Sequence, residues 1–279
     1  MEWQGQWLWT AAPLRNRNRF VRFRRRFDYR GGAARLHLTA DSRYALYVNG
    51  EYLGRGPVRA WPHHARYDTY DLQPHLRPGL NVVAVLVQHL GESTFQYLDG
   101  PPGLLAQLEL ADEVLASDSR WRAAPDASFV GNVPRISCQL GFEEQVDARL
   151  DDNWVAPDYD DTAWPSATEL RPAADGHHNH LAPRGIPHLT HEPLLPQRIV
   201  SLETVRSQPL RATVYLKPYL FPADRSANMM LVHAYLATII ESPAEATVRL
   251  VSPHQGARAW RLNGQLMTDG RGTLKRGSN

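Results

Sequence analysis

The sequence has 279 residues, of which 43% are hydrophobic and 22% are charged, a composition typical of a folded globular protein. Its 31 basic and 29 acidic residues give a net charge of only +2, which lacks the basic excess that nucleic-acid-binding proteins need. No apolar run is long enough for a membrane span, no signal peptide is visible, and Cys138 is the single cysteine, so we expect a cytoplasmic protein without nucleic-acid or membrane partners.

Three tryptophans open the chain. Trp3, Trp7 and Trp9 could stack on a sugar, but large aromatic side chains more often belong to the packing. We therefore predict that they cover one end of a β-sandwich.

A strand with alternating character follows the tryptophans. In residues 20–27, apolar side chains alternate with Arg22, Arg24 and Arg26. The pattern predicts a strand with a solvated arginine face, and the near-neutral charge of the chain speaks against a phosphate or nucleic-acid role.

The stretch from Tyr44 to Gln88 carries the strongest fold signals. Alternation in residues 44–48 predicts a half-buried strand, and Asn49-Gly50 predicts a tight hairpin because both residues accept positive φ. After a turn at residues 77–79, residues 81–87 read as a strand that is apolar on both faces. This order of elements predicts an antiparallel sandwich and not a βαβ unit.

The loop from Gly56 to Asp71 contains the candidate binding residues. A tryptophan among polar side chains suits a sugar, because the ring covers the C–H face while polar groups bond to the hydroxyls. The alternative, which we favour from the pattern alone, is that Trp61 plugs the sandwich and that Asp68 and Asp71 tie turns through backbone N–H groups. The candidate carbohydrate contacts are Arg59, Trp61, His63, His64 and Asp68.

Carboxylates crowd residues 143–161, and a catalytic or calcium-binding role could be read into them. Glycoside hydrolysis needs two carboxylates at a set separation, which crowding along the chain does not provide. The spacing does not match an EF-hand. We assign these carboxylates to turns, caps and surface, and we predict no catalytic residue.

Prolines and histidines concentrate in residues 171–198. The histidines at 177, 178, 180, 188 and 191 suggest a metal, but they lack partner cysteines and a helical HExxH motif. We predict a polar linker, with no metal and no cofactor.

A second β-rich part begins at residue 199 and repeats a pattern of the first. Its predicted strands are 212–216, 231–236, 246–251 and 259–262. Asn263-Gly264 and the Leu-x-x-Gly-x-Asn of residues 274–279 match Asn49-Gly50 and residues 76–81. The buried strand that follows Asn81 has no counterpart in the sequence, so we expect an incomplete second sandwich and a longer parent protein.

Several segments together resemble the N-terminal region of bacterial α-L-rhamnosidases of glycoside hydrolase family 78. The most specific is a Glu-x-x-Asp-Ala-Arg element followed by Asp-Asp-x-x-Trp. The segments are 46–50, 54–57, 67–72, 76–81, 144–149 and 160–164. A related jelly roll occurs in β-galactosidase-type hydrolases.

The resemblance implies an all-β fold with two antiparallel β-sandwich units, jelly-roll and galactose-binding-like, the second of them incomplete. We place the first unit at residues 1–170, the linker at 171–198 and the partial second unit at 199–279. In the resembled family the catalytic acids lie in a separate helical barrel, so this chain would be a non-catalytic part that supports a missing catalytic domain. Rhamnose-containing carbohydrate is the expected partner. The alternatives are a free-standing carbohydrate-binding module and a fragment of a β-galactosidase-like hydrolase.

Overall fold

A computed structural model describes residues 2–11, 17–174, 180–190, 192–204, 216–226, 235–250 and 259–279. The chain divides into two units, Met1–Met229 and Met230–Asn279. Within the described residues, α-helix is confined to α1 (Lys217–Leu220), and 3-10 turns form at Pro62–His64, Gln73–His75 and Ala148–Leu150. Among these helices none has the length and apolar character needed to cross a membrane. The predicted all-β fold is confirmed.

Two sheets make up the first unit. Their strands are β1 (Gln6–Trp9), β2 (Arg19–Tyr29), β3 (Ala34–Asp41), β4 (Arg43–Val48), β5 (Glu51–Gly56), β6 (Ala65–Asp71), β7 (Gly79–His89), β8 (Gly103–Leu110), β9 (Val114–Ala116), β10 (Arg122–Pro125), β11 (Thr168–Pro172) and β12 (Leu181–Pro183). One sheet has the order β11-β1-β8-β3-β6-β12 with β9 beside β8, and the other has the order β10-β2-β7-β4-β5. In the described part, β12 pairs with β6 in parallel and the other neighbours are antiparallel.

The main hydrophobic core lies between these sheets. Leu36 and Leu104 from one sheet and Phe23, Leu46 and Val85 from the other are fully buried in a single cluster. Burial of each such side chain contributes about 1.5–3 kcal/mol, which makes this layer the main source of stability.

Strand β7 is buried on both faces, as its sequence predicts. Val83, Val85 and Val87 belong to the core between the sheets. Val82 and Ala84 point the other way and pack against Trp154. The strand therefore has a second layer over it, which residues 154–164 provide.

Two of the N-terminal tryptophans are packed, as predicted, but they lie in two separate clusters rather than together over one end of the sandwich. Trp9 lies in the main core, and Trp7 is fully buried with Leu105 and Ala173 on the outer face of its sheet. Trp3 is partly buried against that second cluster.

The arginine face of β2 is not solvated, and the prediction for Arg22 and Arg24 was wrong. Their exposed fractions are 5% and 0%. Arg24 Nε lies 2.8 Å from Asp161 Oδ2, and Arg22 Nη1 lies 2.7 Å from Asp152 Oδ1. The reason is that residues 151–164 pack over this face of the sheet, so the guanidinium groups are desolvated but paired.

Other carboxylates of the 143–161 block occupy turns, as predicted. Asp147 accepts the backbone N–H of Arg149 at the Ala148–Leu150 turn (3.1 Å). Asp160 accepts the N–H of Thr162 (3.0 Å). Asp152 and Asp161 differ, because their partners are the buried arginines of β2.

Part of the predicted linker enters the first sheet. Leu181–Pro183 forms β12 beside β6, and Leu181 pairs with Ala65. Residues 186–202 contain exposed apolar side chains, including Leu194 and Leu202. The domain boundaries at 170 and 198 stay predictions.

The second unit consists of three two-stranded antiparallel pairs in its described residues. They are β13 (Glu241–Ser242) with β18 (Gly277–Ser278), β14 (Ala246–Arg249) with β17 (Arg271–Leu274), and β15 (Arg261–Leu262) with β16 (Gln265–Leu266). The predicted strands at 246–251 and 259–262 are found in part. Of the other two, residues 212–215 and 231–234 lie outside the described residues, and residues 235 and 236 do not form a strand.

The predicted internal repeat is visible in the hydrogen bonds of one turn. Asn49 Nδ2 donates to Asn81 Oδ1 (2.8 Å), and Asn263 Nδ2 donates to Asn279 Oδ1 (3.0 Å). In both copies the second asparagine also accepts the backbone N–H four residues earlier, at 3.1 and 2.7 Å, and donates to the carbonyls four and two residues earlier. Asn49 and Asn263 have positive φ values of 51° and 50°, as the Asn-Gly hairpins require.

Candidate functional site

A buried carboxylate organises one end of the first unit. Asp41 ends β3 and is 4% exposed. Its Oδ1 lies 3.0 Å from His89 Nδ1 and accepts a 2.6 Å hydrogen bond from the Tyr97 hydroxyl. Burial, and the nearby charge of Asp41, raise the pKa of Tyr97, so the phenol stays a donor to this carboxylate. These contacts fix the connection between β7 and β8, residues 90–102, against the end of the sandwich.

A groove opens beside this carboxylate. Its volume is about 150 Å³, similar to a cavity that holds one six-membered ring. Its walls combine two aromatic side chains with cationic and amide groups, which is the chemistry of sugar recognition. We name it the Trp61 groove, and its main lining residues are Thr39, Arg43, Arg59, Trp61, Gln96 and Tyr97.

Trp61 is the exposed aromatic wall of this groove. Its side chain is 64% exposed, so the interpretation that it plugs the sandwich was wrong. The residue precedes the Pro62–His64 turn and lies outside both sheets. The ring is therefore available to a ligand, and Arg59 lines the same groove.

The two candidate histidines lie next to this tryptophan. The His63 ring stacks at 6.3 Å from the Trp61 ring, and the His64 ring lies 4.9 Å from His63. His64 also contacts the His180 ring at 5.2 Å. These aromatic contacts position the turn, and neither His63 nor His64 is among the groove-lining residues.

Asp68 lies in the interior and does not line the groove. It is fully buried in β6 and forms an ion pair with Arg184, whose Nη2 is 3.0 Å from Asp68 Oδ2. The Tyr44 hydroxyl also donates to it, and Tyr44 lies 3.0 Å from the Tyr70 hydroxyl. Burial raises the pKa of Tyr70 to about 12, so its hydroxyl stays protonated within this network.

Metal ligation finds no support in the part of the chain that the structure describes. There, no group of three or more His, Cys, Asp or Glu side chains could hold an ion. Of the linker histidines, His180 and His188 contact aromatic rings, whereas His177, His178 and His191 lie outside the described residues.

Several residues of the Trp61 groove were not predicted from the sequence. Arg43 begins β4, and Gln96 and Tyr97 lie in the connection after β7, far along the chain from Trp61. The available signal was the Asp41-Ser42-Arg43 polar run between two strands, because polar groups at strand ends often meet in loops.

A family model described as the α-L-rhamnosidase N-terminal domain matches residues 31–185, which is more than half of the chain. The chain belongs to this family. The match includes β3 to β12 and every residue that we assign to the Trp61 groove. This match supports the resemblance to α-L-rhamnosidases rather than the one to β-galactosidase-type hydrolases.

Individual α-L-rhamnosidases agree with this assignment. The α-L-rhamnosidase of Streptomyces avermitilis is 29% identical over 233 residues, covering 78% of this chain and 20% of that protein. The crystal structure of a glycoside hydrolase family 78 rhamnosidase from Bacillus sp. GL1 is similar with 44% identity and a TM-score of 0.65, covering 67% of this chain and 20% of that one. The α-L-rhamnosidase of Aspergillus terreus shares the fold, with 24% identity and a TM-score of 0.51 over 64% of this chain and 22% of that one. The chain thus spans about a fifth of the length of these relatives.

Proposed function

We propose that this chain is a non-catalytic β-sandwich portion of an α-L-rhamnosidase, and that it supports a catalytic domain and binds carbohydrate in the Trp61 groove. The family match over residues 31–185 carries the first half of the proposal. The carboxylates of residues 147–161 support it as well, because Asp147, Asp160 and Asp161 are engaged in turns and ion pairs.

The carbohydrate half of the proposal depends on the groove. An exposed indole can cover the C–H face of a sugar ring, while Arg43, Arg59 and Gln96 offer donors to its hydroxyls. Rhamnose-containing glycosides are the proposed ligands, because the relatives are named α-L-rhamnosidases.

The test combines an activity assay with calorimetry on the 279-residue chain. An aryl α-L-rhamnoside should not be hydrolysed, whereas titration with L-rhamnose should give a binding isotherm. Trp61→Ala should weaken binding about tenfold or more, since the ring loses its stacking contact. Tyr235→Ala, which also removes a fully exposed aromatic ring, should bind as wild type does. Hydrolysis by the chain, or equal binding by the two variants, would contradict the proposal.

One observation favours a free-standing carbohydrate-binding module as the second candidate. All residues of the Trp61 groove lie in the first unit, Met1–Met229, so the groove is complete within one unit. The two candidates differ in their need for a catalytic partner, which copurification from the source cells would detect.

The cytoplasm stays our proposal for its location, on the ground of the single Cys138. Cell fractionation with an antibody against the chain tests this.

A further inference from the structure

A second and larger cavity lies in the first unit. Its volume is about 330 Å³, within the range of small-molecule sites. It shares the connection after β7 with the Trp61 groove: Leu90 and Tyr97 line the groove, and Gly91 and Asp99 line the cavity. We name it the His89 cavity, and its main lining residues are His89, Gly91, Asp99, Pro101, Ala223 and Arg225.

One wall of the His89 cavity comes from residues 216–226, beyond the part that matches the family model. Arg225 Nη1 donates to the Gly91 carbonyl (2.8 Å), and the Ser93 N–H donates to the Arg225 carbonyl (2.8 Å). Lys217 Nζ lies 2.9 Å from Oε1 of Glu92, which is fully buried. These bonds hold the guanidinium of Arg225 at a fixed position beside the cavity.

The Glu92 carboxylate strengthens this attachment. It also receives Arg17 Nε at 2.8 Å and Arg135 Nη1 at 3.1 Å. Arg17 Nη2 in turn donates to the Asp224 carbonyl (3.0 Å), next to Arg225. A buried carboxylate with three cationic partners fixes three chain segments at once, so the wall is preformed.

The polar groups of the cavity suit a neutral ligand with several hydroxyls. Asp99 is an acceptor and Arg225 a donor, and their opposite charges cancel. His89 Nδ1 lies 3.0 Å from Asp41 Oδ1, and this contact fixes the imidazole ring at the edge of the cavity. Burial raises the pKa of Asp99, whereas His89 and Arg225 lower it, so the carboxylate is partly desolvated beside the cavity.

We propose that the His89 cavity is a second sugar subsite, which binds one neutral monosaccharide unit through adjacent hydroxyl groups on Asp99 and Arg225. Each hydroxyl can donate to the carboxylate and accept from the guanidinium, so both charged groups keep a partner. The Asp99 carboxylate would repel an anionic ligand, and the Arg225 guanidinium would repel a cationic one. The inference deepens the proposed function and rests on it, because it names a second contact for the same class of ligand.

The test is an NMR and calorimetric titration of the 279-residue chain with L-rhamnose, D-galactose and D-glucuronate. The variants are Asp99→Asn and Arg225→Met for the cavity and Trp61→Ala for the groove. Matched controls are Asp112→Asn and Arg30→Met, whose side chains are 57% and 78% exposed. Thermal unfolding of each variant verifies that the fold persists.

In the wild type we expect a neutral sugar to shift the resonances of His89 and Ala223 in addition to those of Trp61. Asp99→Asn and Arg225→Met should each weaken the cavity site about tenfold or more, because a bond to a charged group is lost. Trp61→Ala should leave the shifts at His89 and Ala223 unchanged.

Two results would overturn the inference: unchanged neutral-sugar binding in both cavity variants, or D-glucuronate binding at His89 as tightly as the neutral sugars. If the groove alone binds sugar, the proposed function stands and the second subsite is refuted. If neither region binds any of the three sugars, both the proposed carbohydrate binding and the subsite fail.

Discussion

Replacing Arg24 by methionine tests whether the buried arginines hold residues 151–164 over the sheet. The Arg24 side chain is fully buried, with Nε 2.8 Å from Asp161 Oδ2. Its Nη1 donates to the carbonyls of Trp154 and, at 3.1 Å, of Ala156. The guanidinium also lies 5.2 Å from the centre of the Tyr159 ring.

Removing this guanidinium takes the closest cationic partner from the buried Asp161 and leaves Arg26, whose Nε lies 3.6 Å from Asp161 Oδ1. Breaking a buried ion pair from one side typically costs about 3–5 kcal/mol. For a unit of this size each kcal/mol lowers Tm by about 2–4 °C, so Arg24→Met should lower Tm by roughly 6–20 °C. The assay is thermal unfolding followed by circular dichroism, with urea unfolding to obtain the free energy.

The matched control is Arg30→Met, because the Arg30 side chain is 78% exposed and its ion-pair distances are 3.7 Å. An exposed pair is worth at most about 1 kcal/mol, so Tm should change little. The double variant Arg24→Met with Asp161→Leu should recover part of the loss, because it removes the buried carboxylate that has lost its closest cationic partner. Equal effects of Arg24→Met and Arg30→Met would refute the reasoning.

Three further changes test other parts of the fold. Asn81→Ala should lower the free energy of unfolding by about 2 kcal/mol, since the fully buried carboxamide has four hydrogen bonds. Urea unfolding should show a smaller loss for Asn279→Ala, because the second copy of the turn is more exposed. Gly103→Ala should cost about 1–3 kcal/mol, because its new Cβ would lie 2.6 Å from a ring carbon of Trp7, and a free energy equal to that of wild type would contradict this packing. The pKa of Asp99 is raised above its ordinary 3.8, so ionisation of this carboxyl destabilises the folded state as the pH rises. Asp99→Asn should therefore increase Tm at pH 7 and leave it nearly unchanged at pH 3. An increase in Tm at pH 3 with none at pH 7 would refute this direction of the pKa shift.

The main strands could be predicted because their patterns are local. Alternation in residues 20–27 and the doubly apolar run of residues 82–87 correspond to β2 and β7. The Asn-Gly pairs gave both hairpins, and the repeated asparagine gave the recurring turn. These signals need only neighbours along the chain.

The burial of Arg22 and Arg24 could not be predicted in this way. Their partners Asp152 and Asp161 are more than a hundred residues away, and alternation predicts only that a strand has two different faces. The aromatic residues Trp154, Tyr159 and Trp164 were the signal of a covering layer, since they supply the apolar contacts on that face.

Only part of the Trp61 groove was predicted from the sequence. Trp61 and Arg59 stood out because they share one loop. Arg43 begins β4, and Tyr97 lies in the connection after β7. Arg225 lines the His89 cavity from a segment more than a hundred residues after Tyr97. The strand order of a sandwich brings loops that are distant in sequence to the same end, and the amino-acid composition does not reveal this order.

The most direct test of carbohydrate binding follows the indole N–H signals of the eight tryptophans during titration with L-rhamnose. Trp7 and Trp121 are internal controls, because both are buried and donate to carbonyls at 3.3 and 3.2 Å. We predict that the Trp61 signal shifts and saturates while those of Trp7 and Trp121 stay in place. A Trp61 signal that does not move at a saturating sugar concentration would contradict the account.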